Sequence, residues 1–105
     1  MARSTVYLVL IAVHPGQLET LREYERRAVP VMRRHGGDLQ RVLRPSDPGG
    51  EGPDEVHLLT FDAPDGLARF RADPELKPYR PLREAAVRTV TFLSLTDIPV
   101  PTYLA

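Results

Sequence analysis

The chain has 105 residues and a mass of 11.8 kDa, which is the size of a single domain. Its 14 basic and 14 acidic side chains cancel, and this balance argues against a nucleic-acid-binding protein, which typically has a basic excess. Cysteine is absent, so disulfides, thiolate nucleophiles and thiolate metal sites are excluded. The longest apolar run, Val6 to Val13, is too short to span a bilayer and lacks a cleavage site. We therefore expect one cytoplasmic domain over residues 1–105, without a membrane partner.

The first third of the chain predicts a strand followed by a helix. Residues 5–13 are apolar at both alternating sets of positions, which is typical of a strand covered on both faces. Residues 17–35 are predicted to be helical, because apolar side chains recur there at spacings of three and four. Pro30 lies inside this helix and lacks an amide hydrogen, so we expect a bend or a break. Gly36-Gly37 predicts the end of the helix, with one glycine in the left-handed conformation.

The remainder of the chain alternates between strand-like and helical segments, with one long loop rich in proline and glycine. In chain order we predict an edge strand at 38–44, a mobile loop at 45–53, a strand at 55–61, helical segments ending at 72 and at 86, a strand at 87–95 and an extended tail at 97–105. Too little chain follows the loop to form a second core, so it is not a domain linker.

The order β-α-β-β-α-β predicts a ferredoxin-like α+β fold, with one antiparallel four-stranded sheet and the helices on one face. The first strand is expected at the centre, between the third and the fourth. Because helices cover only one of its two apolar faces, a second copy of the chain is the natural cover for the other. We expect a homodimer joined sheet to sheet, burying about 800 Å² per partner. The apolar end of the tail, Tyr103-Leu104, is expected to lie across the partner.

Several short motifs resemble a known protein family. They are Tyr24 with Val29-Pro30-Val31 and His35-Gly36-Gly37, then Leu59-Thr60-Phe61-Asp62, Ala68-Arg69-Phe70, Asp73-Pro74-Glu75-Leu76 and the stretch from Tyr79 to Ala86. They resemble a bacterial family of unknown function within the dimeric α+β barrel superfamily. The similarity covers about residues 5–95 and implies this fold and a dimer. It implies no single reaction, because the family has no agreed one.

The wider superfamily contains cofactor-free monooxygenases, polyketide cyclases and muconolactone isomerase-like enzymes, and this relation is an analogy of fold. Two departures bear on the ligand: the loop 45–53 replaces a short link, and Phe70-Arg71 stands where an aromatic pair is common. Arg83 matches a family position, and we expect it to be structural and paired with an acid near a helix end.

His57 is the main candidate for chemistry. It lies in the middle of the strand 55–61, with Leu59 and Phe61 on the same face. In a sheet-lined cavity its imidazole would serve as a general acid or base, because its pKa is the closest to neutral. Arg41 on the neighbouring strand would then bind the anion formed, provided that both side chains point into the same space. The alternative is a histidine that is simply hydrogen-bonded within the sheet.

Two further residues are candidates for ligand binding. Arg88 interrupts a strand, and its guanidinium would bind a carboxylate or enolate oxygen if directed inward; directed outward, Arg88 and Arg41 are solvated edge residues. Tyr7 offers a phenol to a ligand. No pair of histidines has metal-ligand spacing and no glycine-rich cofactor motif follows a strand, so we expect neither a metal nor a cofactor.

The sequence supports two hypotheses of different kinds. One is a dimeric protein that binds a small apolar molecule in a cavity and converts it as a cofactor-free cyclase, isomerase or monooxygenase. The other is a non-catalytic dimeric module for binding or structure, with a filled interior. The discriminating observation is a cavity of a few hundred cubic ångströms that holds His57 or an arginine.

Overall fold

A computed structural model describes residues 5–47 and 49–104, which form one antiparallel sheet with helices packed on one face. Its strands are β1 (Thr5–Val13), β2 (Gly37–Leu43), β3 (Glu55–Phe61) and β4 (Val87–Leu95). Their hydrogen-bonded order is β2-β3-β1-β4. The predicted α+β ferredoxin-like class is therefore confirmed, with β1 at the centre and β2 at an edge.

Three α-helices accompany the sheet: α1 (Leu18–Arg34), α2 (Gly66–Arg71) and α3 (Arg80–Ala86), with a 3-10 helix at Pro74–Tyr79 before α3. A bend or a break was predicted at Pro30; α1 continues through this residue, so the break is wrong and the bend stays a prediction. Pro30 and Arg26 are both exposed, so the Arg26 carbonyl that loses its helical partner lies on the solvent side, where it is accessible to water. Within residues 5–47 and 49–104, none of the helices combines the length and the apolar character needed to cross a membrane.

The turn after α1 depends on Gly36. Its φ of 76° is left-handed, as predicted for one glycine of the pair, and its amide donates to the Arg33 carbonyl at 3.1 Å. The Gly36 carbonyl accepts from the Asp62 amide at 3.0 Å, which joins the end of α1 to the end of β3. A Cβ at Gly36 would displace the exposed Asp62 carboxylate, but it is the positive φ that requires glycine in this turn.

The two faces of the sheet have different neighbours. On the helix side, the register places Val9 of β1 opposite His57 of β3 and Phe92 of β4, and the core forms there against α1. The opposite side carries mainly apolar and threonine side chains from β1, β3 and β4. We call it the outer face, and its apolar members are Val6, Leu8, Leu10, Val56, Leu58, Leu93 and Leu95. Leu93 is 43% exposed and Leu95 41%, so this face is left uncovered by the described chain.

The tail after β4 adds more exposed apolar surface. Residues 97–101 are neither helix nor strand, and a 3-10 turn at Thr102–Leu104 follows. Ile98 and Val100 are each 70% exposed and Tyr103 is 85% exposed, which is unusual for side chains of this size.

Candidate functional site

A cavity of about 410 Å³ lies between the sheet and the helices, within the size range of small-molecule sites. Its walls are mainly core side chains: Val9, Ile11, Leu21, Met32, Leu59, Phe70 and Leu76. Two ionisable groups, Glu25 of α1 and His57 of β3, also line it. Tyr24 and the charged residues Arg71, Arg80, Arg83 and Glu84 are also part of the lining, and the exposed members of this set mark the mouth. The cavity is thus apolar in its depth, with polar groups at defined positions.

Glu55 anchors a network of charges beside the cavity. It is the first residue of β3, is 0% exposed, and faces the helices because it lies two residues before His57. Arg22 of α1 binds both of its carboxylate oxygens, one of them at 2.9 Å. Arg44, just after β2, donates to Oε2 at 3.1 Å. Two guanidinium groups from separate elements therefore converge on one buried carboxylate, as a buried ionised group requires.

These contacts set the ionisation of the network. Burial alone would raise the pKa of Glu55, but hydrogen bonds from Arg22, His57 and Arg44 outweigh it and lower the pKa to about 2. The bond to Glu55 raises the pKa of Arg22 in turn. Glu55 is therefore an anion at any pH at which the protein functions, and it acts only as a hydrogen-bond acceptor.

The state of Glu55 determines which nitrogen of His57 carries the proton. Nε2 of His57 lies 2.9 Å from Glu55 Oε1, and because that oxygen can only accept, Nε2 carries a hydrogen and donates it. In the neutral ring Nδ1 then has the free lone pair, and no side chain of the described residues donates to it. The Glu55 carboxylate therefore orients the His57 ring in the same way as the carboxylate of a catalytic triad orients its histidine base.

Glu25 completes this part of the wall. Its Oε1 accepts from Arg22 at 2.7 Å, and its Oε2 lies 3.5 Å from His57 Nε2. Oε2 is buried and has no hydrogen-bond partner among the described residues. A buried carboxylate oxygen without a donor is rare in a folded protein, so this atom has capacity to accept from a ligand.

Glu25, Glu55 and His57 offer three atoms within 4.8 Å of one another, a spacing at which a metal ion can be held. Both oxygens of Glu55, however, already accept from Arg22 and Arg44. A cation would have to displace these guanidinium groups, whose two positive charges already balance the two carboxylates. The cluster therefore has the chemistry of an ion-pair network rather than of a metal centre.

The structure places His57 on the cavity wall, but the predicted position of that cavity is wrong. Sequence reasoning placed it on a sheet-lined face, whereas the ring lies under α1, beside Glu25. Arg41 is not brought to His57. A β-bulge between Leu39 and Arg41 shifts the register, so that Arg41 lies opposite Leu58 and on the outer face. The prediction that His57 and Arg41 share one space is therefore wrong.

The two residues predicted for ligand binding lie elsewhere. Tyr7 packs edge-on against Phe61 and Phe92, with ring centroids 6.1 and 6.4 Å away. Arg88 is exposed near the start of β4. Neither residue lines the cavity, and a ligand-binding role for them stays a prediction.

Sequence reasoning missed two groups of residues. Glu55 was detectable, because strand alternation puts it on the face of His57, two residues away. The second group consists of three arginines that line the mouth of the cavity: Arg71, Arg80 and Arg83. They were not selected as ligand contacts, because they come together only when the helices pack against one another. The expected acid partner of Arg83 is also wrong, since no carboxylate of the described residues lies within 4.0 Å of it.

Comparisons with solved structures identify the fold. A protein of unknown function from Rhodopseudomonas palustris, RPA0582, superposes with a TM-score of 0.78 at 20% identity, over 95% of this chain and 86% of that one. A NIPSNAP family protein of unknown function from Agrobacterium tumefaciens gives a TM-score of 0.72 at 14% identity, over 96% and 94%. SnoaB, a cofactor-independent oxygenase from Streptomyces nogalater, gives 0.69 at 16% identity, over 96% and 99%.

At these identities the likeness establishes the fold. It confirms the α+β ferredoxin-like arrangement, which this chain shares with proteins of unknown function and with a cofactor-independent oxygenase. No protein-family model matches the chain, and no curated protein sequence matches it.

Proposed function

We propose that the protein binds a small, mostly apolar molecule in the cavity between sheet and helices and removes a proton from it with His57. One observation carries the proposal: His57, oriented by the buried anion Glu55, lines an apolar cavity beside the unpaired oxygen of Glu25. A base next to desolvated apolar walls suits the removal of a weakly acidic proton. The cavity of about 410 Å³ on whose wall His57 lies supports this proposal over that of a module with a filled interior.

The proton transfer is a simple step. Nδ1 of His57 takes a proton from an acidic C–H or O–H group of the ligand, and the bonding electrons remain on the ligand as an enolate or phenolate. The positive charge that His57 gains is stabilised by Glu55 at 2.9 Å and by Glu25 at 3.5 Å from Nε2. Glu55 acts as a positioning residue, and Arg22 and Arg44 keep it ionised.

An enolate is a common starting point for isomerisation, cyclisation and reaction with dioxygen. SnoaB is named as a cofactor-independent oxygenase, and its similarity in fold makes the last outcome a reasonable one to test. The shared first step is the part of the proposal that this chain's own residues support.

The test is hydrogen–deuterium exchange at carbon. 2-Tetralone, a small bicyclic ketone with acidic C–H bonds, is incubated in D₂O with the protein, and loss of the C1 proton signal is followed by NMR. We expect exchange above the buffer rate, reduced about 100-fold or more in His57→Gln, since a positioned base contributes a factor of this order. His14→Gln, at an exposed position outside the cavity, is the matched control and should retain the wild-type rate.

Exchange at the buffer rate, or an equal rate in His57→Gln, would contradict the catalytic part of the proposal. If 2-tetralone nevertheless bound, the alternative of a non-catalytic binding module would be supported instead.

We also propose that the protein is a homodimer joined through the outer face. This face carries seven apolar side chains, with Leu93 and Leu95 more than two-fifths exposed. A second copy would bury it, and about 800 Å² per partner is the usual requirement for a stable association. The exposed apolar tail, including Ile98 and Val100, would extend the contact across the partner.

A further inference from the structure

Three arginines at the mouth of the cavity have no partner of opposite charge. They are Arg71 at the end of α2 and Arg80 and Arg83 of α3, and we call them the mouth arginines. Among the described residues, no carboxylate lies within 4.0 Å of any of them, although all six other arginines of α1 and α2 are paired in this way. Glu84 also lines the cavity but forms no ion pair with them. The mouth therefore carries an excess of positive charge that the described chain leaves unbalanced.

Two of the mouth arginines, Arg71 and Arg80, are held in place by contacts with uncharged groups. The guanidinium carbon of Arg71 lies 4.4 Å from the centre of the Phe92 ring, a cation–π contact. Nη2 of Arg80 donates to the Arg71 carbonyl at 3.0 Å, which ties α3 to the end of α2. Two of the three side chains are thus restrained before any ligand arrives, which reduces the entropy lost on binding.

Tyr24 adds a neutral donor to this mouth. Burial raises the pKa of its hydroxyl, against the opposing effect of the positive charges of Arg83, Arg80 and Arg71, so the hydroxyl keeps its proton. All three arginines line the same cavity as Tyr24. No described residue forms a hydrogen bond with that hydroxyl.

We infer that the ligand of this cavity is an amphipathic acid, with an apolar body in the cavity and a carboxylate bound by the mouth arginines and the Tyr24 hydroxyl. A planar guanidinium matches a carboxylate with two parallel hydrogen bonds, and such charge-assisted bonds are about twice as strong as neutral ones. The inference rests on the proposed function in one respect, namely that the ligand occupies the cavity. It specifies the substrate class that the proton transfer alone leaves open.

The test compares two probes of the same size and shape, 2-naphthoate and 2-naphthamide, of which only the first carries a charge. Isothermal titration calorimetry measures Kd for each with the wild-type protein and with Arg83→Gln. The matched control is Arg69→Gln, on α2, which removes an exposed arginine that does not line the cavity. Arg83 is only half-buried, so its substitution should leave the fold intact, which the unfolding temperature verifies.

We expect 2-naphthoate to bind at least about tenfold more tightly than 2-naphthamide to the wild type. In Arg83→Gln the affinity for 2-naphthoate should fall by about tenfold, while the affinity for 2-naphthamide stays the same and Arg69→Gln changes neither. Equal binding of both probes, unaffected by Arg83→Gln, would overturn the inference while leaving binding in the cavity intact. Binding of neither probe would contradict the inference and also the binding claim of the proposed function.

Discussion

Replacing Glu55 by glutamine should destabilise the protein by about 3 kcal/mol at neutral pH. Glutamine has the same shape, so the change removes a charge without opening a cavity. The pKa of Glu55 falls from 4.5 in its ordinary state to about 2 in the fold, a difference of about 2.5 units that corresponds to roughly 3 kcal/mol. Removal of one member of a buried ion pair costs about 3–5 kcal/mol, because Arg22 is left without its main partner, and the two estimates agree.

The pH dependence gives the sharper test. The folded-state pKa is depressed, so the stabilisation is fully present above about pH 4.5 and is lost as the pH falls towards 2. Urea unfolding followed by circular dichroism, at one protein concentration and at pH 7, 4.5, 3 and 2, should show the wild type and Glu55→Gln converging as the pH falls. Glu51→Gln, in the exposed loop, is the control and should match the wild type throughout. A difference below about 1 kcal/mol at pH 7, or one that is constant with pH, would refute the role given to this charge.

Three other substitutions test separate parts of the structure. Leu93→Glu, on the outer face, should convert the proposed dimer to a monomer in sedimentation at micromolar concentration, and an unchanged mass would place the interface elsewhere. Gly37→Ala should lower the unfolding free energy by at least about 1 kcal/mol more than Gly52→Ala, because a Cβ at Gly37 would overlap the buried Phe61 ring whereas one at Gly52 meets open space; equal losses would argue against the clash. His35→Gln should weaken the hydrogen bond to Asp73, in which the two side-chain atoms lie 2.8 Å apart, and lower the free energy of unfolding by about 1 kcal/mol. An unchanged midpoint of thermal unfolding would show that this hydrogen bond does not stabilise the protein.

The strands and their order were predictable because local patterns specify them. Alternation over residues 5–13, 55–61 and 87–95 corresponds to β1, β3 and β4, and the second strand begins one residue earlier than predicted. The glycine pair marked the end of α1 because only glycine adopts its φ of 76° without strain. The effect of Pro30 was overestimated, because its exposure, which the sequence does not show, decides whether a lost hydrogen bond interrupts the helix.

The geometry of the site depended on interactions between distant parts of the chain. Both sets of alternating residues in β3 are apolar enough to be buried, so the pattern could not show that the helices cover the set containing His57. Regular alternation from Leu39 would have put Arg41 on the face of His57, and a single bulge reversed this. The arginines that line the cavity, such as Arg83, come from the helices, where the strand pattern could not select them.

The central claim is that a small, mostly apolar molecule binds between α1 and the sheet, with the C–H or O–H group that loses its proton next to His57. A crystal structure of the protein with 2-tetralone tests it most directly. We predict density for the ketone within the cavity of about 410 Å³, with its C1 carbon about 3–3.5 Å from His57 Nδ1, the distance at which proton transfer begins. Density for the ketone only on the outer face, or an Nδ1 that is occupied by a protein donor, would contradict the claim.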